Sequence, residues 1–511
     1  MRVFAPVTLA MLGLLVGCGT LPSLATRTAS AALRDTANTR LGQAVAPRLR
    51  EHPGQAGIHL LAEAADAFAA RMLLARAAER SLDVQYYIWR DDLTGTMLFE
   101  ALRVAATRGV RVRLLLDDNN TSGLDPTLAL LATQPGFEVR LFNPFVVRSP
   151  RWQAYLTDFS RLNRRMHNKS FTADNQVTIV GGRNIGDEYF GATDGVLFSD
   201  LDVMAIGPIV DAVSTDFDRY WNSGSSYPVG SLLKAPPPSA LADFESAAAM
   251  AENHPDAVGY TTALRQSPFA MRLRQGELDL TWAQTRMVSD DPAKGLRAMK
   301  RSDLVLTELR DVIGDAQRDV EIVSPYFVPT RAGVSALLAL AQRGVRIRVL
   351  TNSLEATDVA PVHAGYAKWR KALLQGGVEL YELKRNGGRR EKLPAAGFGG
   401  SSASSLHAKT FAADHARVFV GSFNFDPRSA YLNTELGFVI ESPEIGSQVA
   451  DAFDQQVPAR SYEVKLDASG GLVWIERLDG GSVTHLREPG TGFWQRAWIA
   501  LLARLPIEWL L

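Results

Sequence analysis

Two short stretches of this chain hold residues suited to phosphoryl chemistry. The first is His167-Asn168-Lys169, then Asp174, then Gly181-Gly182-Arg183-Asn184. The second is His407-Ala408-Lys409, then Asp414, then Gly421-Ser422-Phe423-Asn424. In both, Lys follows His by two, Asp follows Lys by five, Gly follows Asp by seven and Asn follows Gly by three. One copy alone is an ordinary surface pattern. Two copies at identical spacing make a candidate active site.

The chemistry follows from the residue types. One imidazole attacks phosphorus; the second protonates the leaving oxygen and later deprotonates the acceptor. Lys169 and Lys409, with Asn184, Asn424 and Ser422, are candidates to hold the non-bridging oxygens as charge shifts in the transition state. On an extended segment residues i and i+2 share a side, so each His and its Lys face the same place. No H-E-x-x-H or comparable metal-ligand spacing occurs, and neither metal nor cofactor is invoked.

Each imidazole needs an orienter on its other nitrogen. Glu435 lies 28 residues after His407 and opens the run Leu436-Gly437-Phe438. Asp202 lies 35 residues after His167 and opens Val203-Met204-Ala205. That each acid serves the histidine of its own half is the hypothesis. Asn184 to Asp202 is 18 residues and Asn424 to Glu435 is 11, which puts a seven-residue insertion in the first half. Asp174 and Asp414 are candidates for a direct role or, more simply, for bracing the turn.

These motifs need elements to bring them together. Leu82 to Trp89 reads as a strand, Leu98 to Thr107 as a helix, and Arg108-Gly109-Val110 as a helix stop leading into a second strand. The same order recurs at Asp319 to Phe327, Val334 to Gln342 and Arg343-Gly344-Val345. Asp83 to Asp319 is 236 residues, Arg108 to Arg343 is 235, Gly136 to Gly377 is 241 and His167 to His407 is 240. One offset shared by four segments implies a duplicated β-α-β unit. Alternating strands and helices predict an α/β fold with a mixed central sheet in each half.

The remaining chain divides by composition. Arg2, an apolar run from Val3 to Val16 and Leu15-Val16-Gly17-Cys18 resemble a bacterial secretory signal ending in a lipobox. That resemblance implies lipidation at Cys18 and a membrane-anchored lipoprotein facing the periplasm, on the outer or inner membrane. A plain signal peptide or short anchor helix is the alternative. The expected divisions are signal 1–18, tether 19–60, first domain 61–225, connector 226–300, second domain 301–460 and a Trp-rich C-terminal segment 461–511. Trp494, Trp498 and Trp509 beside Arg496 and Arg504 fit either membrane contact or a helix docked on the protein. The basic run Lys384 to Lys392 fits anionic headgroups or a solvated loop. The formal net charge of the 511 residues is zero, so no global field draws in nucleic acid.

The paired HxKx4D pattern with its following Gly-Gly/Ser-x-Asn resembles the phospholipase D superfamily over roughly residues 60–460. The resemblance implies two α/β domains facing across a pseudo-twofold axis, one shared site and a phosphohistidine intermediate formed without metal. It also implies His167 as nucleophile and His407 as acid and base. Gly182 stands where that family often has Ser. Tyr86-Tyr87-Ile88-Trp89, Asn352 to Ala360, His363 to Tyr366 and Leu505 to Leu511 further resemble bacterial cardiolipin synthases of the C type. The expected activity is phosphatidyl transfer, making cardiolipin from phosphatidylglycerol, with phosphatidylglycerol or phosphatidylethanolamine as donor. The partners implied are phospholipids and a membrane surface, not nucleic acid. A hydrolytic phospholipase D, or a phosphodiesterase or nuclease of the same fold, is the alternative.

Overall fold

The repeat is a repeat of backbone conformation. The computed structural model describes residues 20–192, 198–253, 255–385, 405–478, 480–506 and 508–511. Cys18 and most of the basic run at 384–392 lie outside them. The helices Leu93–Thr107 and Thr330–Gln342 both end two residues before a glycine at φ 89°, Gly109 and Gly344. That left-handed conformation suits glycine and turns each chain into its next strand.

The first half holds β1 (Ala56–Leu61), β2 (Ser81–Ile88), β3 (Arg111–Asn120), β4 (Phe137–Phe142), β5 (Ser170–Ala173), β6 (Val177–Gly181), β7 (Phe198–Ser199), β8 (Asp202–Ile206) and β9 (Ser226–Pro228). The strand β10 (Thr281–Ser289) follows. The second half holds β11 (Asp319–Val323), β12 (Arg346–Asn352), β13 (Glu379–Leu383), β14 (Ser405–Leu406), β15 (Thr410–Ala413), β16 (Arg417–Gly421), β17 (Leu436–Glu441), β18 (Ser461–Leu466), β19 (Leu472–Leu478) and β20 (Gly481–His485).

Both halves pair in the same order. The first runs β1-β8-β6-β5-β2-β3-β4-β9 and the second β17-β16-β15-β11-β12-β13-β18-β19-β20. Within these two strand orders β2-β3-β4 and β11-β12-β13 are parallel, the pairs joined by crossover helices, and the other pairs are antiparallel, so each sheet is mixed. Each half has its own apolar core. A third core lies between them, where Val180, Val203 and Ala205 meet Val418, Val420 and Phe438.

Two expected boundaries are corrected. Residues 19–60 are not a free tether. Arg27 donates to the carbonyls of Asn222, Ser223 and Ser226, Thr39 caps the helix Arg40–Glu51, and β1 begins at Ala56. Residues 226–300 are not a mere connector. Leu264, Phe269 and Ala270 are buried in the first core. The strand β10 pairs with β1 through residues 281–283 and with β17 through residues 284–289, stapling the two sheets together. The polar and Pro-rich composition of both stretches hides this.

Candidate active site

Each His-x-Lys segment leads directly into the first strand of a hairpin, β5-β6 or β15-β16. Both hairpins turn through two left-handed residues, Asp174-Asn175 at φ 49° and 50° and Asp414-His415 at φ 55° and 53°. Gln176 N–H donates to Ala173 and Ala416 N–H to Ala413, which closes a tight hairpin turn. The two aspartates work here, away from the histidines. Asp174 accepts the backbone N–H groups of Glu79, Arg80 and Ser81; Asp414 accepts those of Gln317, Arg318 and Asp319. Of the two roles expected for them, the hydrogen bonds support the brace and not a direct catalytic role: each ties a hairpin turn to the start of the neighbouring strand.

At the other end of the hairpins the two halves cross. His167 N–H donates to the carbonyl of Thr434 at 2.9 Å. His407 N–H and Ala408 N–H donate to Ser199 at 2.7 and 3.0 Å, and β7 runs parallel to β14. This exchange carries each acid to the opposite histidine. His167 Nδ1 lies 2.9 Å from Glu435 Oε2, and His407 Nδ1 lies 2.6 Å from Asp200 Oδ2. Gripped at Nδ1, each ring has Nε2 left for chemistry.

The own-half hypothesis is thus replaced by a crossed pairing, and Asp202 by Asp200. Asp202 Oδ2 is held by the buried Arg71 at 2.8 Å, and its Oδ1 accepts Arg183 N–H at 3.1 Å. The equivalence is set by backbone bonds: Gly182 N–H reaches Leu201 as Ser422 N–H reaches Leu436. Asp200 therefore matches Glu435. Ser199-Asp200-Leu201 against Thr434-Glu435-Leu436 is the sequence signal that finds it.

The two pairs differ electrostatically. Burial pushes Glu435 up to about 7 against the opposing pull of Lys169 and Ser422. Burial acts on Asp200 the same way, but His407, Lys409 and Arg183 overcome it and hold the carboxyl below its usual range. Burial, then Lys169 and Lys409, hold His167 well below the ordinary imidazole value. Burial and Lys409 lower His407 too, against Asp200. Burial depresses both lysines, Lys409 to about 8. Lys169 Nζ donates to the His167 carbonyl at 2.5 Å, and Lys409 Nζ lies 3.0 Å from His407 Nδ1.

Both histidines open on one cavity of about 710 Å³, lined also by Tyr87, Asn184, Tyr189, Phe198, Tyr326 and Arg428. Tyr87 stands edge-on to His167 with ring centres 4.9 Å apart, and Tyr189 edge-on to His407 at 5.3 Å. Neither tyrosine is found by spacing, since each has an aromatic neighbour, Tyr86 or Phe190, and lies outside the repeated motif. Asn184 bonds Ile88 N–H and the Tyr189 hydroxyl. Asn424 is buried beside Ser429 and does not line the cavity. Ser422 gives its hydroxyl to Glu435 at 2.5 Å, so it is occupied with the carboxylate.

A family model described as "Cardiolipin synthase, PLD-like domain" matches residues 72–221 and 309–457. The chain is 53% identical over 472 residues to cardiolipin synthase C of Escherichia coli (strain K12), covering 92% of this chain and 100% of that protein. It is 26% identical over 390 residues to cardiolipin synthase B of Shigella flexneri, covering 76% and 77%. Its fold is similar to that of phosphatidylserine synthase from Haemophilus influenzae Rd KW20, with a TM-score of 0.59 at 14% identity over 93% of this chain and 100% of that one. With two such units braced across one cavity, the chain belongs to the phospholipase D-like cardiolipin synthase family.

Proposed function

We propose that this protein transfers a phosphatidyl group onto phosphatidylglycerol and so makes cardiolipin. The observation that carries the reading is the pair of buried histidines, each held by a carboxylate of the opposite half and both open to one cavity. The 53% identity to cardiolipin synthase C supports the choice of lipid.

His167 is the better nucleophile. Its depressed pKa keeps the imidazole unprotonated at neutral pH. His407 rests on a firmly ionised Asp200, the counter-charge an imidazolium needs, and serves as acid. In the first step a His167 nitrogen bonds phosphorus, and the bond from phosphorus to the headgroup oxygen breaks. His407 gives that oxygen its proton, and glycerol or ethanolamine leaves. In the second step His407 takes the proton of a phosphatidylglycerol hydroxyl. The hydroxyl oxygen bonds phosphorus and the bond to His167 breaks. The lysines, buried beside the histidines, oppose the phosphoryl charge.

A bacterial envelope membrane, with Cys18 as the lipidation site, is a separate part of the proposal, supported by the lipobox-like run Leu15-Val16-Gly17-Cys18. Incorporation of labelled palmitate that is lost in Cys18→Ala tests that part.

The central experiment is lipid mass spectrometry on vesicles of phosphatidylglycerol, with and without phosphatidylethanolamine. Cardiolipin formation supports the proposal. Phosphatidic acid as sole product makes the protein a hydrolase, and DNA cleavage without lipid turnover a nuclease. His167→Asn is expected to leave no phosphatidyl adduct on enzyme denatured at neutral to mildly alkaline pH, where the parent's P–N bond survives; an adduct in that variant overturns the nucleophile assignment.

A further inference from the structure

Two exposed apolar patches flank the catalytic cavity, and the reaction itself uses neither. One lies along residues 152–159, where Trp152, Leu156 and Phe159 stand in solvent, Leu156 at 76% exposure. The other lies on the helix Phe493–Leu502 and just beyond, where Trp494, Trp498, Leu501 and Leu505 form one stripe. Trp494 is 82% exposed. The adjoining face of that helix is satisfied: Ile499 and Leu502 are buried in one cluster with Leu354 and Ala364. Its outer stripe is therefore not needed to hold the helix in place.

Both patches are tied to the cavity wall. Tyr155 donates to Asn119 at 2.8 Å, next to the wall residue Asn120. Arg428 lines the cavity and donates through Nη1 to the Asn163 carbonyl at 2.9 Å, just past the first patch. Its backbone N–H donates to Leu511 at 2.7 Å, just past the second, and Leu511 itself lines the cavity. One residue thus joins the ends of both patches at the mouth.

Charge selects the occupant. The chain is neutral overall, yet residues 493–506 carry Arg496 and Arg504 and no acid. Residues 150–165 carry Arg151, Arg161, Arg164 and Arg165 against Asp158 alone. Arg151 and Arg165 pair inward with Asp118 and Asp117. Arg164 donates to the carbonyls of Lys294 and Tyr431, which leaves its charge uncancelled. Aromatic residues edged by cations suit the interface of an anionic bilayer. Among the described residues no helix is long and apolar enough to cross a membrane.

We propose that residues 152–159 and the helix Phe493–Leu502 form one two-point docking surface that seats the cavity mouth on an anionic phospholipid leaflet. The inference rests on the synthase reading for the nature of the substrate. It adds which face meets the lipid, and gives the first patch a part in doing so.

The test uses the full chain in a Cys18→Ser background, which is free of cysteine. An environment-sensitive fluorophore is attached at Leu156→Cys, at Trp494→Cys, or at the exposed Met250→Cys as control. On vesicles of phosphatidylglycerol and phosphatidylethanolamine the first two are expected to shift blue and brighten several-fold, and the control to stay unchanged. No change at 156 or 494, or an equal change at all three, overturns the proposal. A second arm compares Leu156→Ser/Phe159→Ser and Trp494→Ser/Trp498→Ser with the parent. Turnover on vesicles is expected to fall tenfold or more, while turnover of short-chain phosphatidylglycerol below its critical micelle concentration stays within twofold. An equal fall on both substrates makes the patches part of the cavity instead. Loss of a dimer with vesicle turnover retained makes them a contact between two copies. Label shifts without cardiolipin from either substrate leave the docking surface standing and sink the synthase reading.

Discussion

Ser422 gives its hydroxyl to Glu435, and in the other half Gly182 leaves that same space to Asp200. A Cβ built on Gly182 would sit 2.1 Å from Asp200 Oδ1. The shorter aspartate lies closer to the strand end, so the half with Asp has no room for a side chain there. Gly182→Ser is expected to push Asp200 off His407. The cost to folding is about 1–3 kcal/mol, the usual range for overpacking, and activity falls far more than stability does. Denaturant unfolding beside a lipid assay separates the two effects.

The unequal carboxylates predict unequal mutants. Asp200→Asn removes the charge that sustains an imidazolium at His407, and a loss of about 10²–10⁴ in kcat is expected. Glu435→Gln keeps an acceptor for His167, and near neutrality Glu435 is already close to half protonated. About a tenfold loss is expected there, the order of one neutral hydrogen bond. Equal losses at pH 6 would contradict this division of roles.

Lys409 predicts a pH limb. Its folded pKa is lowered to about 8, so its charge is present below that value and lost as pH rises through it. The profile of kcat/KM, which reports the free enzyme, is expected to fall above about pH 8. In Lys409→Arg the residual activity should keep its level to higher pH, because a guanidinium stays charged.

Glu488 predicts acid sensitivity. It pairs with Arg370 and His363, and although burial opposes this, its pKa falls from 4.5 to about 2. A depressed carboxylate contributes stability above its unfolded pKa and loses it as pH falls through the folded one. The window is therefore about pH 4.5 down to 2, and the contribution is about 3 kcal/mol. Urea unfolding of the parent at pH 7 and pH 3, against Glu488→Gln, is expected to show a smaller pH dependence in the variant.

The strand β10 predicts that the halves unfold together. Gln284→Pro removes a backbone donor in a strand paired on both sides of its length. One cooperative transition at lower temperature is expected, with activity lost in step. Two resolved transitions in the parent would mean that the staple does not couple the halves.

How much of this could be read beforehand depends on whether the signal was local. The duplicated spacing, the glycines at 109 and 344, and the order of strands are local and stand in the sequence. The crossing of the acids is not, because it arises from Thr434 and Ser199 meeting the opposite histidine segments across the junction. Asp200 and Asp202 are two apart, so alternation places them on the same side of an extended chain and cannot choose between them. Only the backbone register does. Spacing leaves Asp174 and Asp414 either a direct role or a brace, and their φ values and backbone partners support the brace. The stretches at 19–60 and 226–300 were masked by polar and Pro-rich composition, although single buried side chains such as Phe269 fasten them to the core.

The crossed carboxylates also set a time at which the protein becomes active. During synthesis His167 leaves the ribosome long before Glu435, 268 residues later, and it has no orienting acid until the second half has folded against the first. A chain that ends before residue 435 therefore carries His167 without its carboxylate and has an incomplete site. Assembly of the site thus waits for the second half to dock on the first.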